Sequence, residues 1–174
     1  MKKTISIIII IAMCAMLASC GGVKNEVSDT EQPTLMDTMS LEEKVGQILF
    51  VRCVEDEQTD DLMSIKPGGI LMFGRDFEGL TKDEVKEKIQ SYQDKSDIPL
   101  IIGADEEGGT VVRVSSNPNL APEKFKSPQE IYNEGGMDAV VENATEKSEL
   151  LLSLGVNMNR APVADVSTNP SDYM

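Results

Sequence analysis

Apolar positions along this chain follow two rhythms. Short uncharged runs alternate with longer stretches in which apolar residues recur every three or four positions. Runs of the first kind suit strands, and stretches of the second suit amphipathic helices. Ser40-Leu41-Glu42-Glu43 has the Ser-x-x-Glu form of a capping box. It predicts a short helix with Leu41, Val45 and Ile48 on one face, and Gln47 to Val51 follows as a first strand. Glu55 to Lys66, anchored by Leu62, Met63 and Ile65, predicts another short helix, stopped at Pro67-Gly68-Gly69. Ile70 to Phe73 is a second strand, buried on both faces. Leu80-Thr81 opens a helix whose stripe is Leu80, Val85, Ile89 and Tyr92, with Thr81 and Glu84 as a second capping box.

The third strand, Leu100 to Ala104, is preceded by Pro99. The stretch from Ile98 to Ala104 carries no charge, which predicts burial on both faces, the usual state in parallel sheets. Residues 115–136 hold Pro118, Pro122 and Pro128 and read as a long loop with a short helical piece at Gln129 to Asn133. Met137 to Leu154 is a second strong helix, carrying Val140, Ala144, Leu151 and Leu154 and closed by Gly155. Val156 to Val166 contains a fourth strand. Strand and helix alternate, which is the pattern of an α/β protein with a parallel sheet.

Composition narrows the function. Hydrophobic content of 40% and charged content of 26% are those of a globular protein with a real core. The formal net charge is −14, and it becomes −16 without residues 1–19, which hold Lys2 and Lys3 and no acid. Such a surface repels nucleic acid. The chain contains no histidine. That excludes Ser-His-Asp, Cys-His and His-ligated metal chemistry within these residues. Three cysteines are too scattered for a zinc site, and no cofactor or metal is expected.

The N-terminus has its own logic. Lys2 and Lys3 precede an almost wholly apolar run, Ile5 to Leu17, of secretory-signal length. Leu17-Ala18-Ser19-Cys20-Gly21 follows directly and resembles the lipobox of bacterial lipoproteins. The resemblance implies cleavage before Cys20 and lipidation of Cys20, with the mature protein anchored on the extracytoplasmic face of the cell membrane. Residues 20–37 are polar and acidic and read as a flexible tether, so that the folded domain begins at residue 38. Cys14 leaves with the signal, and Cys53 is a small buried hydrophobe.

Candidate chemistry gathers where strands end. Arg75-Asp76 follows the second strand, Asp105-Glu106-Glu107-Gly108-Gly109 the third, and Asp165 the fourth. In α/β folds ligands bind at that end of the sheet. Gly108-Gly109 allows a tight turn or a close approach to a ligand. Arg113, eight residues after Asp105, could fold back beside it. Glu106 and Glu107 cannot easily flank one reacting bond, because adjacent side chains point to opposite sides.

Three segments together resemble the N-terminal part of glycoside hydrolase family 3. They are Pro67-Gly68-Gly69-Ile70-Leu71-Met72-Phe73, Asp105-Glu106-Glu107-Gly108-Gly109 with Arg113, and Asn159-Arg160-Ala161-Pro162-Val163-Ala164-Asp165-Val166. The central pattern is most similar to the β-N-acetylhexosaminidase branch. The resemblance implies a TIM-like (β/α)8 barrel, of which residues 38–174 supply about the first four βα units. It also implies retaining hydrolysis of a terminal N-acetylhexosamine from peptidoglycan fragments or chitin-like glycans, with Asp105 and Arg113 contacting the sugar. In the family Glu-Gly-Gly shapes the turn and is not catalytic.

The family's later parts have no counterpart in these residues: a Lys-His-Phe-Pro-Gly-His-Gly-like segment, a loop histidine serving as general acid/base, and an aspartate nucleophile. A complete barrel takes about 250 residues. The chain is therefore expected to be an incomplete front half, inactive by itself, with no catalytic residue of its own. The alternatives are a β-glucosidase-type member of the same family and a sugar-binding surface lipoprotein without catalysis.

Overall fold

A computed structural model describes residues 33–164. The leader, Cys20, most of the expected tether and Asp165 lie outside them. The chain divides into two compact units between Asp37 and Thr38. At that boundary the end of the expected tether forms one helical turn, α1 (Leu35–Thr38), in which the Thr34 amide and hydroxyl donate to Asp37.

Beyond it come α2 (Leu41–Gln47), β1 (Phe50–Arg52), α3 (Thr59–Ser64), β2 (Gly69–Met72), α4 (Lys82–Gln93), β3 (Ile101–Ala104), α5 (Pro128–Leu154) and β4 (Met158–Asn159). Single 3-10 turns, Asp56–Gln58 and Gly74–Asp76, precede α3 and follow β2. All strand pairs are parallel, and the sheet order is β1-β2-β3-β4. Each strand thus lies beside its neighbour in sequence. Consecutive parallel strands with intervening helices are what a (β/α)8 barrel begins with, so the expected α/β class is the one observed.

Local signals set the helix starts. Ser40 with Glu43 and Thr81 with Glu84 form the two expected capping boxes. A third, Ser127 with Glu130, opens α5 well before the expected Met137. Pro128 stands at the first helical position, where its missing N–H costs nothing. The expected loop 115–136 therefore ends at Ser127. Gly136, at φ 67°, breaks α5 into two helical segments, and Gly155 closes it at φ 91°.

The core lies on one face of the sheet. Ile70 and Met72 of β2 and Ile102 and Ala104 of β3 pack with Val85, Ile89 and Tyr92 of α4 and with Leu151 and Leu154 of α5. These helix stripes are those the sequence predicts, except that Ala144 is exposed and Val140 only half-buried. Cys53 is fully buried as expected and shares a hydrogen bond with the Tyr92 hydroxyl. Burial pushes its thiol up from the ordinary value of 9.0.

Two sets of apolar positions are open, for one reason. The Leu41, Val45 and Ile48 face of α2 is open, with Leu41 at 72% and Ile48 at 80% exposure. Leu41, Val45, Leu49 and Ile65 line a groove of about 640 Å³. The first strand also starts later than expected, at Phe50, because the chain turns at Ile48 and Leu49. On the other side of the sheet, Ile101 is 47% exposed and Met158 is exposed too. The third strand is therefore buried on both faces except at Ile101. Both surfaces lack a covering element among the described residues. Gly103 is buried because the Phe50 ring lies over it and over Gly69.

Among the described residues no helix is long and apolar enough to cross a membrane. No group of three His, Cys, Asp or Glu there could hold a metal ion.

Candidate functional site

The site grows out of the carboxyl end of β3. Asp105 follows Ala104 directly and is half-buried. The chain then makes a tight reversal. The Glu107 and Gly108 amides both donate to the Val111 carbonyl, and the Val111 amide donates back to Gly108. Gly108 and Gly109 have φ of 103° and 64°, a region that favours glycine. A Cβ on Gly108 would sit 2.1 Å from the Lys126 carbonyl oxygen. The close approach that requires these glycines is to the chain itself, at 125–127, where the Gly109 amide donates to the Phe125 carbonyl.

Glu106 closes the loop from inside. It is fully buried. Its carboxylate accepts from the amides of Arg113 and Val114 at 2.7 Å each, from the Ser115 amide, and from the Ser115 hydroxyl. Charge-assisted bonds of this kind are strong. Every oxygen lone pair aimed at the loop is used, so this carboxylate has no capacity left for a substrate. Glu107 points the other way, its carboxylate accepting from the Val163 amide. The two glutamates therefore face opposite sides, as adjacent residues should, and neither is placed as a nucleophile or general acid.

Asn159, at the end of β4, grips the base of the loop. Its Oδ1 accepts from the Glu106 amide and its Nδ2 donates to the Glu106 carbonyl. The long segment after the loop is fixed as well. Buried Asn117 donates to the carbonyls of Phe77 and Leu80.

This frame brings the expected pair together. A guanidinium nitrogen of Arg113 stands 3.7 Å from an Asp105 carboxylate oxygen. Arg160, which the sequence reading did not single out, reaches the other oxygen at 4.0 Å. Asp105 thus faces two arginines, one from its own loop and one directly after β4. The Arg113 guanidinium also lies over the Phe73 ring at 5.6 Å, and Arg52 lies over the same ring at 4.8 Å. The Arg113 Nε is buried with no hydrogen-bond partner among the described residues. All four arginines of the chain, Arg52, Arg75, Arg113 and Arg160, come at or after the carboxyl ends of strands. A signal for Arg52 and Arg160 was available in that distribution.

Asp76, the other strand-end acid within the described residues, has a local duty. It is buried, accepts from the Phe73 amide at 2.7 Å, and pairs with Arg75 at 3.7 Å. The site therefore consists of one accessible carboxylate between two guanidinium groups, backed by an aromatic ring. Such a set can take the hydroxyl and carbonyl oxygens of a sugar in a bidentate way.

The model of the glycosyl hydrolase family 3 N-terminal domain matches residues 40–173. Beta-hexosaminidase A of Pseudoalteromonas piscicida is 31% identical over 108 residues, which is 60% of this chain and 18% of that protein. Beta-hexosaminidase of Haemophilus influenzae is 24% identical over 113 residues, 65% of this chain and 32% of that one. Among solved structures, a glycoside hydrolase family 3 beta-N-acetylglucosaminidase from Paenibacillus sp. str. FPU-7 has a TM-score of 0.61 at 25% identity, covering 71% of this chain and 24% of its own. A family 3 glycosyl hydrolase from Mycobacterium smegmatis has a TM-score of 0.63 at 22% identity and shares the fold, covering 78% of this chain and 39% of its own. The chain spans no more than 32% of the length of these two curated relatives.

Proposed function

Because the chain belongs to glycosyl hydrolase family 3, we propose that it is the sugar-holding front of an enzyme that hydrolyses O-glycosidic bonds. The bond is that of a terminal β-linked N-acetylhexosamine, released with retention from peptidoglycan fragments or chitin-like glycans. The relatives named as beta-hexosaminidases and the Paenibacillus neighbour support the N-acetylhexosamine part of this reading. One observation carries it: Asp105 stands between Arg113 and Arg160 at the carboxyl end of β3 without a tight bond to either. The carboxylate and guanidinium groups are close enough to grip one ligand and too far apart to saturate each other. In this reading the described residues bind and orient the sugar, and bond cleavage falls to groups outside them.

The test is a substrate panel on the intact gene product. Turnover of 4-nitrophenyl N-acetyl-β-glucosaminide well above that of the β-glucoside supports the reading. The reverse preference assigns the glucosidase branch. Saturable N-acetylglucosamine binding without any turnover assigns a sugar-binding role.

We further propose that Cys20 carries the lipid that holds the protein on the outer face of the cell membrane. The order Leu17-Ala18-Ser19-Cys20-Gly21 directly after an apolar run supports it. Cys20→Ala should move the protein from the membrane pellet to the soluble fraction, and a variant that stays in the pellet contradicts lipidation there.

A further inference from the structure

Lys147 lies on α5, far in sequence from the Asp105–Ser115 loop, yet it is buried, at 7% exposure. Its Nζ donates to the main-chain carbonyl of Glu107 at 2.8 Å. The Phe125 ring lies 5.6 Å from the same Nζ. Phe125 is itself tied to the loop on both sides. Its carbonyl accepts from Gly109, and its amide donates to the Ser115 hydroxyl, which in turn donates to Glu106.

A buried lysine is rare unless something compensates it. Here the surrounding acids are those of the loop. Glu106 and Glu107 both draw the Lys147 ammonium toward its charged form, against the burial that pushes it down from the ordinary value of 10.5. Glu106 in turn is a fully buried carboxylate whose direct contacts are amides and a hydroxyl. All four of those donors belong to the loop itself, so whatever fixes the loop also fixes Glu106. Loss of Lys147 would leave the partly buried Glu107 carbonyl without its donor.

We propose that Lys147 is a positioning residue for the sugar site. It reaches from α5 to fix the Asp105–Ser115 loop, holding Glu107 by its carbonyl beside the Phe125 ring. Through that loop, in which Glu106 takes the Arg113 amide, it sets where Arg113 stands relative to Asp105. Lys147 touches no substrate. Its effect on catalysis rests on the proposed sugar-binding role of Asp105 and Arg113, while its effect on the loop does not.

The experiment compares Lys147→Met with Lys147→Arg in the intact protein, by amide hydrogen exchange and by kinetics. Lys147→Met keeps the length and removes charge and donor. Exchange at residues 108–115 should rise about ten-fold or more in that variant, while exchange in α4 stays unchanged. With N-acetylglucosaminide as substrate, KM should rise about ten-fold with kcat held within about two-fold. Lys147→Arg, which keeps the charge and a donor, should recover a large part of both effects. Exchange at 108–115 equal to wild type, with only a lower melting temperature, would overturn the proposal. A wild type that does not turn over the substrate would remove the sugar reading, and the exchange comparison would still decide the role of Lys147. Where Lys147→Met does not fold, Lys147→Gln, whose shorter side chain falls short of the Glu107 carbonyl, is the second arm. It should accelerate exchange at residues 108–115 relative to Lys147→Arg, and unchanged exchange there overturns the anchoring role.

Discussion

Asp105 and Arg113 stand 3.7 Å apart at the carboxyl end of β3, carboxylate oxygen to guanidinium nitrogen. At that separation the pair is attractive but not hydrogen-bonded. A ligand hydroxyl can donate to the one and accept from the other. Removing either partner should therefore affect binding far more than folding. Asp105→Ala is expected to lower kcat/KM for an N-acetylglucosaminide by about 100-fold, equivalent to ~3 kcal/mol. Arg113→Lys should not rescue it, because a point charge does not reproduce the planar fork. Steady-state kinetics with matched thermal melts check both.

Glu106 behaves differently, because its carboxylate is consumed by the loop. Glu106→Ala leaves the buried amides of Arg113, Val114 and Ser115 without their acceptor. The expected loss is about 3 kcal/mol of stability, read as a shifted urea midpoint. A loss of activity with an unchanged midpoint would point instead to a direct catalytic role.

Two glycines of positive φ separate conformational cost from collision. Gly108→Ala places a methyl 2.1 Å from the Lys126 carbonyl oxygen, so the loop must move. Gly79→Ala meets nothing within 4 Å. The first should cost about 3 kcal/mol and the second about 1 kcal/mol, the strain of the left-handed region alone. Equal costs in denaturant titrations would mean the Lys126 contact can relax.

Acid should loosen the helix starts. The Glu43, Glu84 and Glu130 carboxyls sit below the ordinary value of 4.5. Glu43 is held there first by Lys66 and then by Ser40, Glu84 by Thr81, and Glu130 by Ser127. A carboxyl lowered on folding contributes stability that is present above 4.5. That stability is lost as the pH falls through the depressed values beneath. Thermal melts from pH 7 to pH 3 should therefore fall most steeply below pH 4.5, with a shallower fall in Glu84→Gln. A parallel pH profile in that variant would contradict the assignment.

What the sequence made legible was local or periodic. Ser40 with Glu43 and Thr81 with Glu84 announce their helices, because both partners of a capping box lie within four residues. The Val85, Ile89, Tyr92 stripe announces a buried face for the same reason. Ser127 with Glu130 has the same form but sits among prolines, and the turn signal of Pro118, Pro122 and Pro128 masked it. The exposure of Ile101 and Leu41 depends on which element lies across from them, and no spacing within β3 or α2 carries that information. Asp105 and Arg113 were accessible through their motif. Arg160 was signalled only by its place after a strand, while Lys147 joins the loop through helix packing across 40 residues, which no local pattern spans.

We propose that a terminal sugar is held between Asp105 and Arg113. A crystal structure of the intact protein with N-acetylglucosamine bound tests it most directly. The account predicts sugar hydroxyls within hydrogen-bond distance of the Asp105 carboxylate and the Arg113 guanidinium, with Glu106 still closed on the amides of residues 113–115. A sugar bound elsewhere with this pair untouched, or one that contacts the Glu106 carboxylate, would contradict it.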